Sequence, residues 1–276
     1  MHERACRPAP PAYRQTLELL MTKTLAESFK VYGRDEGSPF VLVSDHAGQA
    51  IPPMLDGLGL SADERARHIG WDIGIDGVGR KLADALPAVL IEQVYSRLVI
   101  DCNRAPGHPT SIVTRSDGTS VPRNQNLSAQ DTAWREQSIL HPYHQRITQE
   151  LDARLAQGRC AVVVALHSFT PIMHGVARPW HAGLLHNHDA RLAHIMIDLL
   201  RAEGLVVGDN EPYALTDTSD YTIPLHGEQR ALPYIEIEIR QDLIAHASGQ
   251  AEWAARLASL LPQAWEIFCT RYEQRP

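Results

Sequence analysis

Cysteine is sparse in this 276-residue chain: Cys6, Cys102, Cys160 and Cys269 stand far apart and form no Cys-x-x-Cys pair. Neither a thiolate zinc site nor a disulfide framework is signalled. Long apolar runs are missing too. None reaches the roughly 18 residues of a membrane helix, and the N-terminus has no long apolar signal core. The expectation is a soluble protein of a reducing cytoplasm. Positive charge is in deficit, with 26 Lys and Arg against 33 Asp and Glu and a net charge of −7. Such a balance turns away nucleic acid and anionic membrane as partners. A small anionic substrate stays open, because only the local potential of a cleft matters to it.

Several catalytic signatures are absent as well. There is no His-Glu-x-x-His and no Gly-x-Ser-x-Gly, and the glycine-rich stretch 74–81 lacks the Gly-Lys-[Ser/Thr] of a phosphate-binding loop. Nucleotide binding and serine-hydrolase chemistry therefore lose ground.

What is present is an alternation of strands and helices. Residues 1–36 read as an N-terminal extension, with a short helix over Thr16–Lys30, and residues 37–276 as a single α/β domain. Phe40–Ser44, Val89–Gln93, Leu98–Ile100, Cys160–Leu166, Ala182–Leu185, Leu205–Val207 and Ala231–Arg240 are β-like. Asp76–Ala85, Asp131–Gln157, Asp189–Glu203 and Trp253–Arg271 carry helical spacing, and Ser61 opens a short helix as a capping residue. The all-apolar run ending at Leu166 suits a parallel strand buried on both faces. The expected fold is three-layered: a mixed, largely parallel sheet with helices on both faces. Residues 105–127 have no periodicity and read as a functional loop or lid.

Chemistry gathers where strands should end, the place where open α/β sheets bind ligands. His46 follows the first apolar strand, His167 follows the long one, and Asp101, Asn103 and Arg104 follow Leu98–Ile100. Trp71–Asp76 supplies two carboxylates four residues apart. Asp72 reads either as an N-cap for the helix carrying Asp76 or as the third member of a two-histidine, one-carboxylate metal set. That set leaves a position open for water. Glu236 and Glu238 lie two apart in a strand and so share a face. Buried carboxylates at that spacing are costly unless solvated, paired or catalytic. Arg97 and Arg104 offer planar forks for gripping a carboxylate. Among the 14 histidines, His181, His186 and His226 are further cleft candidates with a surface or core role as the plainer reading; Tyr143 and His144 read as a helix cap.

These motifs resemble the N-formylglutamate amidohydrolase family across roughly residues 37 to 265. The resemblance rests on Ser44-Asp45-His46-Ala47-Gly48 with Ile51-Pro52, on Trp71–Asp76, on Ser96–Arg104, on Leu166-His167-Ser168 and on Ile237-Glu238-Ile239-Arg240. More distantly, the order of motifs is similar to that of zinc carboxypeptidases and the aspartoacylase group. By that likeness His46 and His167 match metal ligands, zinc being the implied ion. Asn103 and Arg104 match binders of the substrate carboxylate, Arg97 an oxyanion-stabilising arginine, and Glu238 the catalytic glutamate. Tyr221 and His226 join them as substrate-binding candidates. One departure stands out: where the carboxypeptidase-like enzymes place a glutamate ligand three residues after the first histidine, this chain has Gln49. Asp72 matches the acidic residue of the formylglutamate family, with Asp76 in reserve. The implied activity is a metal-dependent amidohydrolase that cleaves an N-formyl or short N-acyl group from an acidic amino acid. The rivals are a carboxypeptidase-like peptidase or other deacylase, and a non-catalytic binder of an anionic ligand.

Overall fold

A computed structural model describes residues 27–272. Its centre is a seven-stranded sheet in the order β1-β3-β2-β6-β11-β9-β10. The strands are β1 (Phe29–Tyr32), β2 (Phe40–Ser44), β3 (Val89–Gln93), β6 (Val162–Phe169), β9 (Ala182–Leu185), β10 (Val207–Asp209) and β11 (Tyr234–Arg240). Two short hairpins supply the rest: β4 (Arg115–Ser116) with β5 (Thr119–Ser120), and β7 (Ile172–Met173) with β8 (Val176–Ala177). Strands β3, β2, β6 and β11 run parallel; β1 on β3 and β9 on β11 are antiparallel. The sheet is therefore mixed and mostly parallel, as expected.

The helices are α1 (Ala62–Ala66), α2 (Ile75–Ala85), α3 (Ala129–Arg135), α4 (His141–Ala156), α5 (Arg191–Ala202) and α6 (Ala247–Tyr272). Ser61 caps α1 by accepting the Glu64 N–H. On one face of the sheet, Leu42, Val164, Leu166, Ile235, Ile237 and Ile239 pack under α2, α5 and α6. On the other, Val41, Val43, Val163 and Ala165 pack under Tyr143, Ile147 and Leu151 of α4. Side chains alternate across a strand, so the face carrying Val163 and Ala165 also receives His167. In β11 it receives Glu236 and Glu238. The long strand thus extends past Leu166, and His167 lies within it.

Three expectations need correction. Leu98–Ile100 is no strand. The Ser96 hydroxyl accepts the Leu98 N–H and the Ser96 carbonyl accepts the Val99 N–H, which closes a turn. Asn124 and Arg135 then bond the outward carbonyls of Leu98 and Val99. Local side-chain bonds have displaced the ladder. Tyr143 and His144 do not cap a helix; they are buried inside α4, which continues from α3 through a π-helical turn at Glu136–Leu140. The helix read over Thr16–Lys30 falls mostly outside the described residues, and its end is strand: Phe29 and Lys30 belong to β1. The sheet takes up the last part of the stretch read as an extension. Among the described residues no helix is long and apolar enough to cross a membrane.

Candidate metal centre and substrate cavity

Two close backbone approaches set the first histidine and its carboxylate. A Cβ at Gly48 would collide with the Val94 carbonyl, so only glycine lets the chain after His46 lie against the end of β3. There Ala50 bridges Tyr95. Gly74 has φ 83°, and a Cβ there would strike the Ile244 carbonyl. This left-handed residue turns the chain between Asp72 and α2. The Asp72 N–H donates to the His46 carbonyl at 2.9 Å, tying the two segments together.

The three groups converge. His167 Nδ1 is 3.0 Å and His46 Nδ1 3.6 Å from Asp72 Oδ2, and one ligand atom from each lies within 4.8 Å of the others. Each ring is backed from behind: His46 Nε2 meets Asp101 Oδ1 at 2.7 Å, and His167 Nε2 faces Asp45 Oδ2 at 3.3 Å. The Ser168 N–H holds Asp72 Oδ2 at 3.1 Å. Arg97 donates to Asp101 at 2.9 Å and stands 3.6 Å from Asp72. All three members are buried. Asp76 sits instead on α2, 3.6 Å from Arg80, and Gln49 is exposed. Neither joins the cluster.

The charges are crowded. Burial and Arg97 oppose a charged His46, yet Asp101 and Asp72 outweigh them and raise its pKa. Burial likewise opposes a charged His167, but Glu236, Asp45 and Asp72 hold it well above the usual histidine range. Despite burial, Asp45 is lowered to about 2, chiefly by His167, and Asp101 well below the ordinary value by His46 and Arg97. Burial pushes Glu238 up to about 7 and Glu236 well above the carboxylate range. Five buried carboxylates therefore surround two imidazoles and one guanidinium. A buried donor set this rich in carboxyl oxygens and imidazole nitrogens is of the kind that holds a divalent cation.

The residues fit a divalent metal. His46 Nδ1 is buried without a hydrogen-bond partner, and so are Glu236 Oε2 and Glu238 Oε2. Two Nδ1 atoms converge on one carboxylate while the opposite ring nitrogens meet Asp101 and Asp45. That is the carboxylate–histidine–metal pattern, in which outer carboxylates fix tautomer and ring orientation.

A cavity of about 460 Å³ opens on this cluster, lined also by Arg97, Asn103, Arg104, Glu236 and Glu238. Asp117 and His174, from the turns of the two short hairpins, line its outer part. Of the expected substrate binders, Arg104 reaches the cavity while donating to the carbonyls of Asn103 and Ser219. Asn103 also lines it, but its amide is spent on a loop: Nδ2 donates to Asp220, and Oδ1 accepts from the Tyr221 and Thr222 N–H groups. Tyr221 and His226 are not brought to the cavity lining. Tyr221 sets its ring edge against His144, and His226 is fully buried, stacked on His144 with a 3.0 Å hydrogen bond. His186 pairs with Asp209, and His181 accepts the Val206 N–H. Sequence reasoning gave no role to Asp45 or Asp101, although both sit inside quoted motifs. Asp220 was missed, having no motif to mark it.

Residues 38–245 match the family model of N-formylglutamate amidohydrolase. In structure the chain is similar to gene product Atu2144 of Agrobacterium tumefaciens, with a TM-score of 0.85 and 36% identity over 88% of this chain and 96% of that one. It is also similar to the N-formylglutamate amidohydrolase of Ralstonia eutropha JMP134, with a TM-score of 0.69 and 21% identity over 88% and 98%. No curated protein matches the sequence. The match over three quarters of the length and the shared fold lead to one conclusion: the chain belongs to the N-formylglutamate amidohydrolase family.

Proposed function

We propose that this protein is a metal-dependent amidohydrolase that removes a formyl or other short acyl group from an α-amino acid. The convergence of His46, Asp72 and His167 at the floor of the cavity, with Glu238 in its wall, carries this reading. Two imidazole nitrogens and one carboxylate suit zinc. A bound divalent ion there would polarise the acyl carbonyl and acidify water.

The chain's own groups supply the rest. Glu238 lies beside His167 in the register of β11 on β6, on the same face. Its carboxyl, raised by burial to about 7, is matched to a base working near neutral pH. It takes a proton from the water that adds to the acyl carbon and returns it to the departing nitrogen. Arg97 meets the oxygen on which negative charge gathers. Its bond to Asp101 fixes the guanidinium, so little reorganisation is needed in the reaction. Arg104 receives the α-carboxylate through a planar fork, held in place by the carbonyls it already bonds. Asn103 shapes this anchor indirectly, by tethering the loop that carries Ser219 and Asp220.

The test is an assay on a panel of N-formyl and N-acetyl amino acids, with and without a chelator, together with metal analysis. Hydrolysis that vanishes with chelation and returns with zinc is expected. Arg104→Lys keeps the charge but loses the fork, so KM should rise while kcat changes less. Turnover that survives complete metal removal would sink the reading.

A further inference from the structure

Arg67, Arg97 and Arg104 each have a carboxylate within 4.0 Å, on Asp117, Asp101 and Asp220 respectively. Arg178 has no such partner among the described residues. Its Nη1 donates instead to the Tyr213 hydroxyl at 2.9 Å and to the Thr170 carbonyl at 3.4 Å. Both bonds leave from one nitrogen. The Nε–Nη2 edge, the kind of fork that grips a carboxylate through two parallel bonds, has no hydrogen-bond partner among the described residues.

This guanidinium is held in place from several sides. It lies 4.7 Å from the centre of the Tyr213 ring and 5.8 Å from that of Phe169. The Arg178 N–H donates to the Pro171 carbonyl at 2.8 Å, and the Arg178 carbonyl accepts from Arg240 at the end of β11. Phe169, Thr170 and Tyr213 all line the cavity, so Arg178 stands at its edge, against the lining residues. Its charge is felt inside: burial first, and then Arg67, Arg97 and Arg178, lower the pKa of His68, another lining residue, against the pull of Asp117. The loop that carries Tyr213 runs on to Ser219, whose carbonyl accepts from Arg104. Two guanidinium groups thus stand at the two ends of one loop along the same cavity.

We infer that Arg178 is the specificity-determining residue for an acidic side chain on the substrate: its open edge receives the side-chain carboxylate, while Arg104 receives the α-carboxylate. This rests on the reading of the site as an N-acyl amino acid hydrolase. The Tyr213 hydroxyl accepts from Arg178 and so keeps its own proton to donate to the same carboxylate. An amide side chain of the same shape would offer the fork one acceptor oxygen instead of two, and no charge.

The test is the ratio of kcat/KM for N-formyl-L-glutamate to that for N-formyl-L-glutamine, measured on the zinc-loaded full chain. The unaltered protein should favour the glutamate compound by at least about tenfold, the effect of one charge-assisted pair. Arg178→Gln should bring the ratio close to one, chiefly by raising KM for the glutamate compound. Arg178→Lys keeps the charge without the fork and should restore part of the ratio. Tyr213→Phe keeps the ring beside the guanidinium and removes one donor, so it should lower the ratio by less. A ratio near one in the unaltered protein overturns the inference. So does a ratio that survives Arg178→Gln, including an equal loss on both compounds, which a merely structural role would produce. If Arg178→Gln does not fold, Arg178→Lys and Tyr213→Phe decide, and a ratio left in place by both overturns the inference. If neither compound is cleaved, the hydrolase reading fails, and calorimetric titration of the two compounds into the unaltered and variant proteins decides instead. Tighter binding of the glutamate compound that the variant loses upholds the inference; equal binding of the two, or none, overturns it.

Discussion

Among the described residues two clusters each join two histidines and one aspartate, and the contrast between them separates a site from a coincidence of side chains. His46, just past β2, His167, within β6, and Asp72, in the turn before α2, are buried together. His186, His194 and Asp209 lie on the outside, with ring centroids 5.0 Å apart and Asp209 bridging the two rings at 2.7 and 3.4 Å. The donor sets are the same. In the inner cluster the outward ring nitrogens are backed by Asp101 and Asp45, and a cavity opens beside it. In the outer one a single carboxylate serves both rings, and His194 and Asp209 are about half exposed. Water already solvates that charge, so a cation there replaces little that is costly. The inner carboxylates cannot be solvated so cheaply.

The comparison breaks first on metal content. His167→Ala should leave the dialysed protein without stoichiometric zinc and bring hydrolysis to background, whereas His194→Ala should leave both within error of the unaltered protein. Equal loss of zinc from the two variants would mean that the clusters are not different in kind. The next largest effect is expected at Glu238→Gln. That change keeps size and removes the base, so kcat should fall by about 10²–10⁴ with zinc retained. Loss of zinc from this variant would make Glu238 a ligand rather than a base.

Much of this was legible in the chain. The alternation in Tyr234–Arg240 put Glu236 and Glu238 on one face, and the apolar run into Leu166 delivered His167 to the same place. Strand geometry is periodic, so it can be read from spacing. The turn at Ser96–Asp101 could not be read that way. Val99 and Ile100 are good strand formers, but the Ser96 side chain and distant Asn124 and Arg135 take the bonding groups a strand would use. The burial of His144 and His226 escaped for a related reason. Their 3.0 Å contact joins residues 82 apart in the chain, and no local pattern announces it. Asp45 and Asp101 sat in view beside the ligands, but their work depends on which ring nitrogen they meet. That is settled by tertiary packing alone.

The smallest expected effect tests those two carboxylates, since they are what the outer cluster lacks. Asp101→Asn keeps the shape behind His46 Nε2, and Asp45→Asn does the same behind His167. Neither carboxylate is proposed to bind the metal. Each holds its imidazole oriented and makes it a better donor. Outer partners of this kind typically account for about 10–100-fold in metal affinity. Zinc competition against a calibrated chelator should find a loss in that range for each variant. The two should differ in their second consequence. Asp101 also fixes Arg97 at 2.9 Å, so its loss should lower kcat even at saturating zinc. Asp45 accepts the Thr222 hydroxyl at 2.7 Å and touches no arginine, so added zinc should restore most of the rate. If both variants recover fully, Arg97 is not held by Asp101 for the reaction. If neither weakens zinc, burial alone distinguishes the inner cluster from the outer.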